Sequence, residues 1–439
     1  MERSERRLKR SLGLLETTLA GVGIILGAGV YALIGAVADK AGDGIWLSFV
    51  IAAVVAAVIG LCYAELASMF PHSGADHEYT RQALGARPAF VVGWLMVIGN
   101  IIGAATVALG FGGYLGTFVD VDPTVAAVVA LGVAMVIAFA GVEETIKVMV
   151  LGTLVEVGGL VMVIAIGVPH FSADYLTSFD NGAAGVLHGA ALVMFAYIGF
   201  SEIATLAEET ENPTRTVPLA MVLSIGITTL LYIMVAIAAV SVLGASALAA
   251  SAAPLADVAR DELGESASDV VAIIALFSTA NTMLLLLVAA SRMIYGMAST
   301  EALPRFLGWV HPRVQTPVRA IAMSMLLASA FALTGELAFV AGVTNFAVYV
   351  AFAAVCVSLA VLRYKQPDLP RPFRVPLSLG RMPLLPIAGL ALVAMQTANL
   401  SPDVLALGAA LFISGVVAMQ ALSLWRPKGT ARAPDDSIG

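Results

Sequence analysis

Residues 21–35 read GVGIILGAGVYALIG, an uncharged stretch that contains five glycines. It lies inside an apolar segment, residues 12–37, that is long enough to cross a bilayer, since a spanning helix needs about 20 residues. Glycine is the poorest helix former after proline, because it loses the most backbone freedom on ordering. Its repeated use here predicts either an interruption of the helix or a face that another helix approaches closely.

Two interpretations of this stretch differ in what they predict. Gly23 and Gly27 form a G-x-x-x-G pattern, which is typical of close helix packing in membranes. Alternatively, the helix is interrupted at Gly27, Ala28 and Gly29. The second half-helix would then begin with free N–H groups that attract a carboxylate, and the first would end with free carbonyls that attract a cation. A nucleotide-binding loop is excluded, because no strand precedes the glycines.

The whole chain has the composition of a polytopic helical membrane protein. Hydrophobic residues make up 60% of the 439 residues and charged residues only 12%, a balance that soluble domains do not show. We predict an all-α fold with twelve transmembrane helices. They are expected at residues 12–37, 45–70, 84–118, 123–141, 146–169, 183–207, 216–244, 268–299, 318–335, 338–362, 383–398 and 404–425.

The positive residues predict the orientation, because Lys and Arg are retained on the cytoplasmic side of a membrane. With twelve spans, both termini lie on one side. All of the 23 Lys and Arg residues except Lys40 and Arg260 fall on that side. We therefore predict a multi-pass protein of the cell membrane with both termini in the cytoplasm.

An inverted repeat would place a second interrupted helix in span six. That segment, residues 188–213, reads HGAALVMFAYIGFSEIATLAEETENP, and Gly199 interrupts its helical pattern. Paired interruptions in spans one and six are harder to explain by packing than either one alone. We predict a 5+5 inverted repeat, with halves at about residues 12–169 and 183–362.

Several strings along nearly the whole chain resemble the amino acid/polyamine/organocation (APC) family, which has the leucine-transporter type of fold. They are GVGIILGAGVY (21–31), YAELASMFPHSGADHEY (63–79), FAYIGF (195–200), AEETENPTRTVP (207–218), SRMIYGMASTEALPRFLGWVHPRVQTP (291–317) and RYKQPDLPRPFRVP (363–376). The resemblance implies a transporter core over residues 12–362 and two additional spans, with a preceding cytoplasmic loop, over 363–425. Residues 1–11 and 426–439 are expected to be cytoplasmic segments.

The resemblance also implies alternating access to a substrate site between spans one, three, six, eight and ten. By position in the family strings, Gly27, Ala28 and Gly29 form the carboxylate cradle. The carbonyls that bind the α-amino group and the walls of the pocket come from Ile25, Phe195, Ala196 and Ile198.

Glu156, in the middle of predicted span five, is expected to be the coupling group. Several related transporters have a lysine at this position, so the sign of the charge is reversed here. An ionised carboxylate in an apolar span is costly, and such groups mark proton pathways. We predict that Glu156 takes up and releases a proton; a permanently protonated structural glutamate and a sodium ligand are the alternatives. Ser278, Thr279 and Asn281 of span eight are expected nearby, as hydroxyl and amide partners.

Charged residues at the cytoplasmic ends of spans are expected to form a gating cluster, made of Glu65, Glu208, Glu209 and Arg292. The loop between spans two and three also holds His72, Asp76, His77 and Glu78, but their spacing fits no defined metal site. We predict no metal site and no cofactor.

These observations predict a secondary active permease of amino acids, coupled to protons. An amino acid exchanger and a transporter of amines, polyamines or cationic amino acids remain alternatives, with sodium coupling less favoured. A channel would need polar residues along its lumen, and a membrane enzyme would need a catalytic cluster at depth; the spans contain neither. The expected partners are the substrate, the proton and the lipid bilayer, and not a nucleic acid.

Overall fold

The computed structural model describes residues 12–70, 75–140, 146–172, 174–208, 210–299, 303–312, 314, 316–379 and 382–425. The proposed terminal segments 1–11 and 426–439 lie outside these ranges. The described α-helices are α1 (Leu14–Leu26), α2 (Gly29–Ala41), α3 (Ile45–Met69), α4 (Ala75–Leu84), α5 (Ala86–Leu115), α6 (Pro123–Ala140), α7 (Ile146–Gly167), α8 (Asp174–Thr177), α9 (Gly182–Val193), α10 (Pro213–Ala250), α11 (Pro254–Leu263), α12 (Glu265–Ser299), α13 (Val318–Ala332), α14 (Leu337–Lys365), α15 (Leu384–Ala398) and α16 (Pro402–Trp425).

The described chain also contains two short strands and several segments of 3-10 helix. Two antiparallel strands, β1 (Ser378–Leu379) and β2 (Met382–Pro383), follow α14. Segments of 3-10 helix cover Gly42–Gly44, Val168–His170, Met194–Glu208 and Arg305–Gly308. The long helix α10 is bent at Gly244, whose φ of +76° is unstrained only in glycine.

Most of these helices have the length and composition of membrane spans, so the chain is an all-α membrane protein. Nine apolar helical stretches of the described chain are long enough to cross a bilayer, and α1, α13 and α15 are shorter apolar helices. Each of the twelve predicted stretches contains at least one helix. The number of helices that cross the membrane stays a prediction.

The predicted interruption of the first span is confirmed. Helix α1 ends at Leu26, and α2 begins at Gly29. Between them Gly27 adopts a φ of +24° and a ψ of −155°, outside helical geometry. The absence of a Cβ lets this residue leave the helical region with little strain.

The interruption of the sixth predicted span lies elsewhere than expected. Helix α9 ends at Val193, six positions before Gly199, and the chain continues as a 3-10 helix from Met194 to Glu208. The position assigned to Gly199 is therefore wrong. A 3-10 run of this length is uncommon and has poorer hydrogen-bond geometry than an α-helix, which is typical of a hinge or a strained segment.

Helix α5 runs through the centre of the structure, packed against α6, α12, α13, α14 and α16. Small residues allow this close approach. A Cβ added to Gly110 would lie 2.6 Å from Cβ of Ala32 in α2, and one added to Gly112 would lie 2.1 Å from the carbonyl of Pro123. A second group, α3, α7 and α1, packs around α10, and the interrupted segments lie within this packing.

Candidate functional site

The break between α1 and α2 is fixed by a hydrogen bond from a distant helix. The Ala28 N–H donates to the hydroxyl oxygen of Thr282 in α12, at 3.1 Å. Ala28 is fully buried, whereas Gly27 and Thr282 are only partly buried. Thr282 was not among the residues predicted from the sequence, although it lies one helical turn after Ser278, on the same side of α12.

The two interrupted segments touch each other through glycines. A Cβ added to Gly29 would lie 2.5 Å from Cα of Ala196, and one added to Gly199 would lie 2.4 Å from the carbonyl oxygen of Ile24. Real Cβ atoms do not approach other atoms this closely, so glycine is needed at both positions for the backbones to meet. Gly199 thus has a packing role although it does not mark the end of α9.

The hydroxyl of Tyr232, in α10, lies among carbonyls of both interrupted segments. Its distance is 2.9 Å to Ile25 O, 3.0 Å to Leu26 O and 3.1 Å to Ala196 O. A phenol has one proton, so it donates to one of these carbonyls at a time. Two of the three carbonyls, those of Ile25 and Ala196, belong to residues that the family resemblance assigns to the substrate site. Tyr232 itself was not predicted from the sequence.

This carbonyl cluster is an electronegative point next to the positive end of α2. The α2 helix begins at Gly29 with N–H groups that an α-helix leaves without internal partners. Donors and acceptors of opposite polarity therefore lie a few residues apart along the chain. A zwitterion with a carboxylate and an ammonium group matches that arrangement.

The predicted walls of the pocket are apolar. Phe195 is largely buried, and its ring edge lies 3.8 Å from the position of a Cβ on Gly103 of α5. Ile198 is partly buried, as are Gly27 and Gly199. The structure therefore brings residues of predicted spans one, three and six together around the breaks.

Glu156 lies behind the first break, in α7. The residue is 3% exposed, and its backbone carbonyl accepts a hydrogen bond of 2.9 Å from the hydroxyl of Tyr31, the third residue of α2. Tyr31 in turn accepts, through its carbonyl, a hydrogen bond of 3.0 Å from the hydroxyl of Tyr114. One turn before Glu156, Thr153 packs against Gly23 of α1. Helix α7 thus contacts both halves of the broken helix, α2 through the Glu156 carbonyl and α1 through Thr153.

The three predicted partners of Glu156 in α12 have different surroundings. Ser278 and Thr279 are fully buried, and the Thr279 hydroxyl donates to the carbonyl of Ala275 at 2.7 Å. The Ser278 hydroxyl has no hydrogen-bond partner among the described residues. Asn281 borders an apolar cavity between α5, α6 and α12 instead.

The structure describes the side chains of two members of the predicted gating cluster, Glu65 and Arg292. Glu65 is fully buried, and both of its carboxylate oxygens accept hydrogen bonds from Arg363 of α14, at 3.0 and 2.5 Å. The Val375 N–H donates to the same carboxylate at 2.7 Å, and Nε of Arg371 lies 3.5 Å from it. Arg292, which was grouped with Glu65, is exposed. Glu65 is thus paired with the last turn of α14, and a gating role for Glu65, Glu208, Glu209 and Arg292 stays a prediction.

The acidic end of the 3-10 segment lies partly outside the described chain. Glu209 is not among the described residues, and the structure describes only the backbone of Glu208. Just beyond them, the Glu211 N–H donates to the carbonyl of Leu12 at 2.8 Å. This bond joins the chain before α1 to the chain after the 3-10 segment.

Asp76 forms a second polar contact near α3, outside the apolar helices. The hydroxyl of buried Tyr63 donates to its carboxylate. Burial raises the pKa of Asp76 to about 6, although the hydrogen bond from Tyr63 acts in the opposite direction. Among the described residues no group of three or more His, Cys, Asp or Glu has metal-site geometry, and His72 lies outside the described ranges.

Comparisons with known proteins agree with the family strings. A family model described as amino acid permease matches residues 12–423. The branched-chain amino acid permease BcaP of Bacillus subtilis is 32% identical over 415 residues, which cover 89% of this chain and 87% of that protein. The methylthioribose transporter of Bacillus subtilis is 28% identical, with 88% of each chain covered. The vacuolar cationic amino acid transporter 4 of Arabidopsis thaliana is 32% identical over 82% of this chain and 64% of its own length.

Proposed function

The chain belongs to the amino acid permease family, and on that premise we propose that it is a secondary active transporter that carries amino acids by alternating access. It is a transporter rather than an enzyme. The observation that carries the proposal is the hydroxyl of Tyr232, placed among carbonyls of both interrupted segments. Such a contact would transmit movement of one segment to the other.

The substrate that best fits this site is a neutral amino acid. Its carboxylate would bind the N–H groups at the start of α2, near Gly27, Ala28 and Gly29, because the positive end of the helix dipole lies there. Its ammonium would bind the carbonyl end of α1 at Ile25, with Ala196 opposite. These interactions are available to any α-amino acid.

The side-chain part of the site supports neutral substrates over cationic ones. Phe195 and Ile198 offer apolar surface, and a cationic side chain would need a carboxylate within reach. The names of the similar proteins cover branched-chain and cationic amino acids as well as methylthioribose. Cationic amino acids, amines and exchange of one amino acid for another are therefore the alternatives.

The proposed topology has twelve spans and an inverted repeat of residues 12–169 and 183–362, followed by two further spans within 363–425. In this proposal the protein lies in the cell membrane, and both of its termini lie in the cytoplasm. Cysteine labelling at Arg260, which lies in α11 between the long helices α10 and α12, should succeed from outside intact cells. A reporter fused after residue 439 should read as internal; an external reading would refute the twelve-span topology.

We assign coupling to Glu156 through uptake and release of a proton. Its side chain is buried in α7, and its backbone is bonded to Tyr31 at the start of α2. A group so placed can be neutral in one access state and charged in the other, which links transport to pH. The hydroxyl of Ser278, which has no hydrogen-bond partner among the described residues, is available to a cation, and this keeps sodium as the competing coupling ion.

The decisive experiment measures uptake into proteoliposomes with an imposed pH gradient, across a panel of labelled amino acids. Saturable uptake and counterflow of at least one amino acid are expected; their absence across the panel would refute the transport proposal. Glu156→Gln should abolish accumulation driven by the gradient while exchange persists. Glu16→Gln is the matched control, since that glutamate is exposed in the first turn of α1.

Two results would contradict proton coupling in particular. The first is accumulation by the Glu156→Gln protein with the pH dependence of the unmodified protein. The second is accumulation that requires sodium and is lost in Ser278→Ala, which would transfer the coupling role to a sodium ion. Neither result would affect the assignment of the substrate site.

A further inference from the structure

An apolar cavity of about 500 Å³ lies between α5, α6 and α12, away from the helix breaks. Fifteen of its sixteen lining residues are apolar, among them Phe111, Val129, Ala134 and Phe277. Its volume falls within the range of pockets that hold drug-sized ligands, about 300–1,000 Å³. It is too small for a transmembrane helix, which is about 10–12 Å across with its side chains.

The open side of the cavity is bordered by exposed apolar side chains, as expected for a surface that faces lipid. Helix α6 presents Val125, Val129 and Val133 on one side, each more than half exposed. Their spacing of four residues places them in one row on the helix. Because these residues both line the cavity and face outward, a molecule dissolved in the bilayer can enter directly.

Asn281 is the sixteenth lining residue, and its side chain is polar. It lies near the middle of α12 and is only partly buried. Its backbone belongs to the helix, but its side-chain amide has no hydrogen-bond partner in the part of the chain that the structure describes. An amide without a partner at this depth is unfavourable, because lipid tails cannot hydrogen-bond to it.

We propose that this cavity binds a single-chain membrane amphiphile whose one hydroxyl or carbonyl oxygen hydrogen-bonds to Asn281. The hydrocarbon part fills the apolar lining, and the oxygen satisfies the amide, which both donates and accepts. The ligand would bind on a different side of α12 from the transport site. The adjacent residue, Thr282, accepts the hydrogen bond from Ala28 at the break.

The test uses the full-length protein in lipid nanodiscs with two photoreactive probes, a long-chain alcohol and a hydrocarbon of equal chain length. The alcohol should label peptides that contain Phe277 and Val129 saturably, and unlabelled alcohol should compete. Asn281→Leu should lower the apparent affinity for the alcohol about three- to thirty-fold, the range expected for one hydrogen bond in a membrane. It should leave the hydrocarbon labelling unchanged.

The control variant is Leu285→Ala, at an exposed position of α12 that does not line the cavity; it should not change either probe. Labelling that does not saturate, or equal labelling of the Asn281→Leu protein, would show ordinary lipid contact and overturn the proposal. If Asn281→Leu fails to fold, Ala134→Phe fills the cavity and should abolish saturable alcohol labelling; unchanged labelling there overturns the proposal too. Crosslinking between two copies through Val129→Cys that blocks the probe would identify a second copy as the occupant and refute a lipid ligand.

Discussion

Replacing Tyr232 by phenylalanine removes one oxygen atom from the junction of the two interrupted segments. The ring is retained, with its edge contacts to Tyr197 and Phe49 at centroid distances of 5.3 and 5.6 Å. The change therefore leaves the packing intact and isolates the hydroxyl. We expect Tyr232→Phe to weaken the folded state moderately and transport strongly.

The magnitude follows from the geometry around the hydroxyl. One proton is shared among three carbonyls at 2.9 to 3.1 Å, so one hydrogen bond is lost. A hydrogen bond within a protein contributes about 0.5–1.5 kcal/mol, and side-chain bonds in membranes average about 0.6 kcal/mol. When the loss leaves a buried carbonyl without any donor, the total cost is about 1–3 kcal/mol. We expect a loss of about 1–2 kcal/mol, equivalent to a factor of about 5 to 30 in an equilibrium constant.

The assay pairs thermal unfolding in detergent with initial rates of uptake in proteoliposomes. Tyr349→Phe is the matched control, because Tyr349 is equally buried and its hydroxyl donates to Ala191 O at 2.9 Å. That carbonyl lies in the last turn of α9 and keeps a second donor, because Asn345 also donates to it at 2.8 Å. Tyr349→Phe should therefore leave the transport rate close to that of the unmodified protein.

The initial rate of uptake decides whether the hydroxyl of Tyr232 has a role in transport. If Tyr232→Phe and Tyr349→Phe reduce uptake equally per folded molecule, the hydroxyl of Tyr232 has no special role at the breaks. If Tyr232→Phe takes up substrate at the rate of the unmodified protein but is less stable to heat, the hydroxyl of Tyr232 contributes to stability and not to transport.

Three further outcomes are expected. Gly29→Ala should destabilise the protein by about 1–3 kcal/mol or more, because the added Cβ meets the backbone of Ala196 in the second interrupted segment. Gly158→Ala is the control and should not destabilise it, since the space around Gly158 is open. Equal shifts in the melting temperatures of the two variants would contradict this prediction. Arg363→Met should lower the free energy of unfolding by up to about 3–5 kcal/mol, because it removes both hydrogen bonds of the guanidinium and leaves the buried Glu65 carboxylate with the Val375 N–H and the more distant Arg371. The additional change Glu65→Leu should recover part of this loss; no recovery would show that the charge is not the cause. Burial raises the pKa of Asp76 to about 6, so the stabilising contribution of its protonated form is full below about pH 4 and is lost as the pH rises through 6. When the pH is lowered from 7 to 5, the melting temperature of the unmodified protein should therefore rise relative to that of Asp76→Asn. A constant difference between the two proteins would refute the assignment.

The apolar stretches by themselves determined where helices form. A segment without charges that is long enough to span a bilayer can satisfy its backbone only within itself, so it becomes a helix in almost any surroundings. The break at Gly27 was also predictable, because it depends on a local conformational preference. The end of α9 at Val193 was not, since the choice between α and 3-10 geometry there has no comparable local signal.

The tertiary structure alone decided which distant groups meet. Glu65 and Arg363 are 298 positions apart and Ile25 and Tyr232 are 207 apart, and a helix pattern gives no information about a partner on another helix. Asn281 and Thr282 are neighbours in the chain, yet one borders the apolar cavity and the other binds the first break. Successive residues of an α-helix point about 100° apart, so only the packing of α12 against its neighbours determines which side chain faces the transport site.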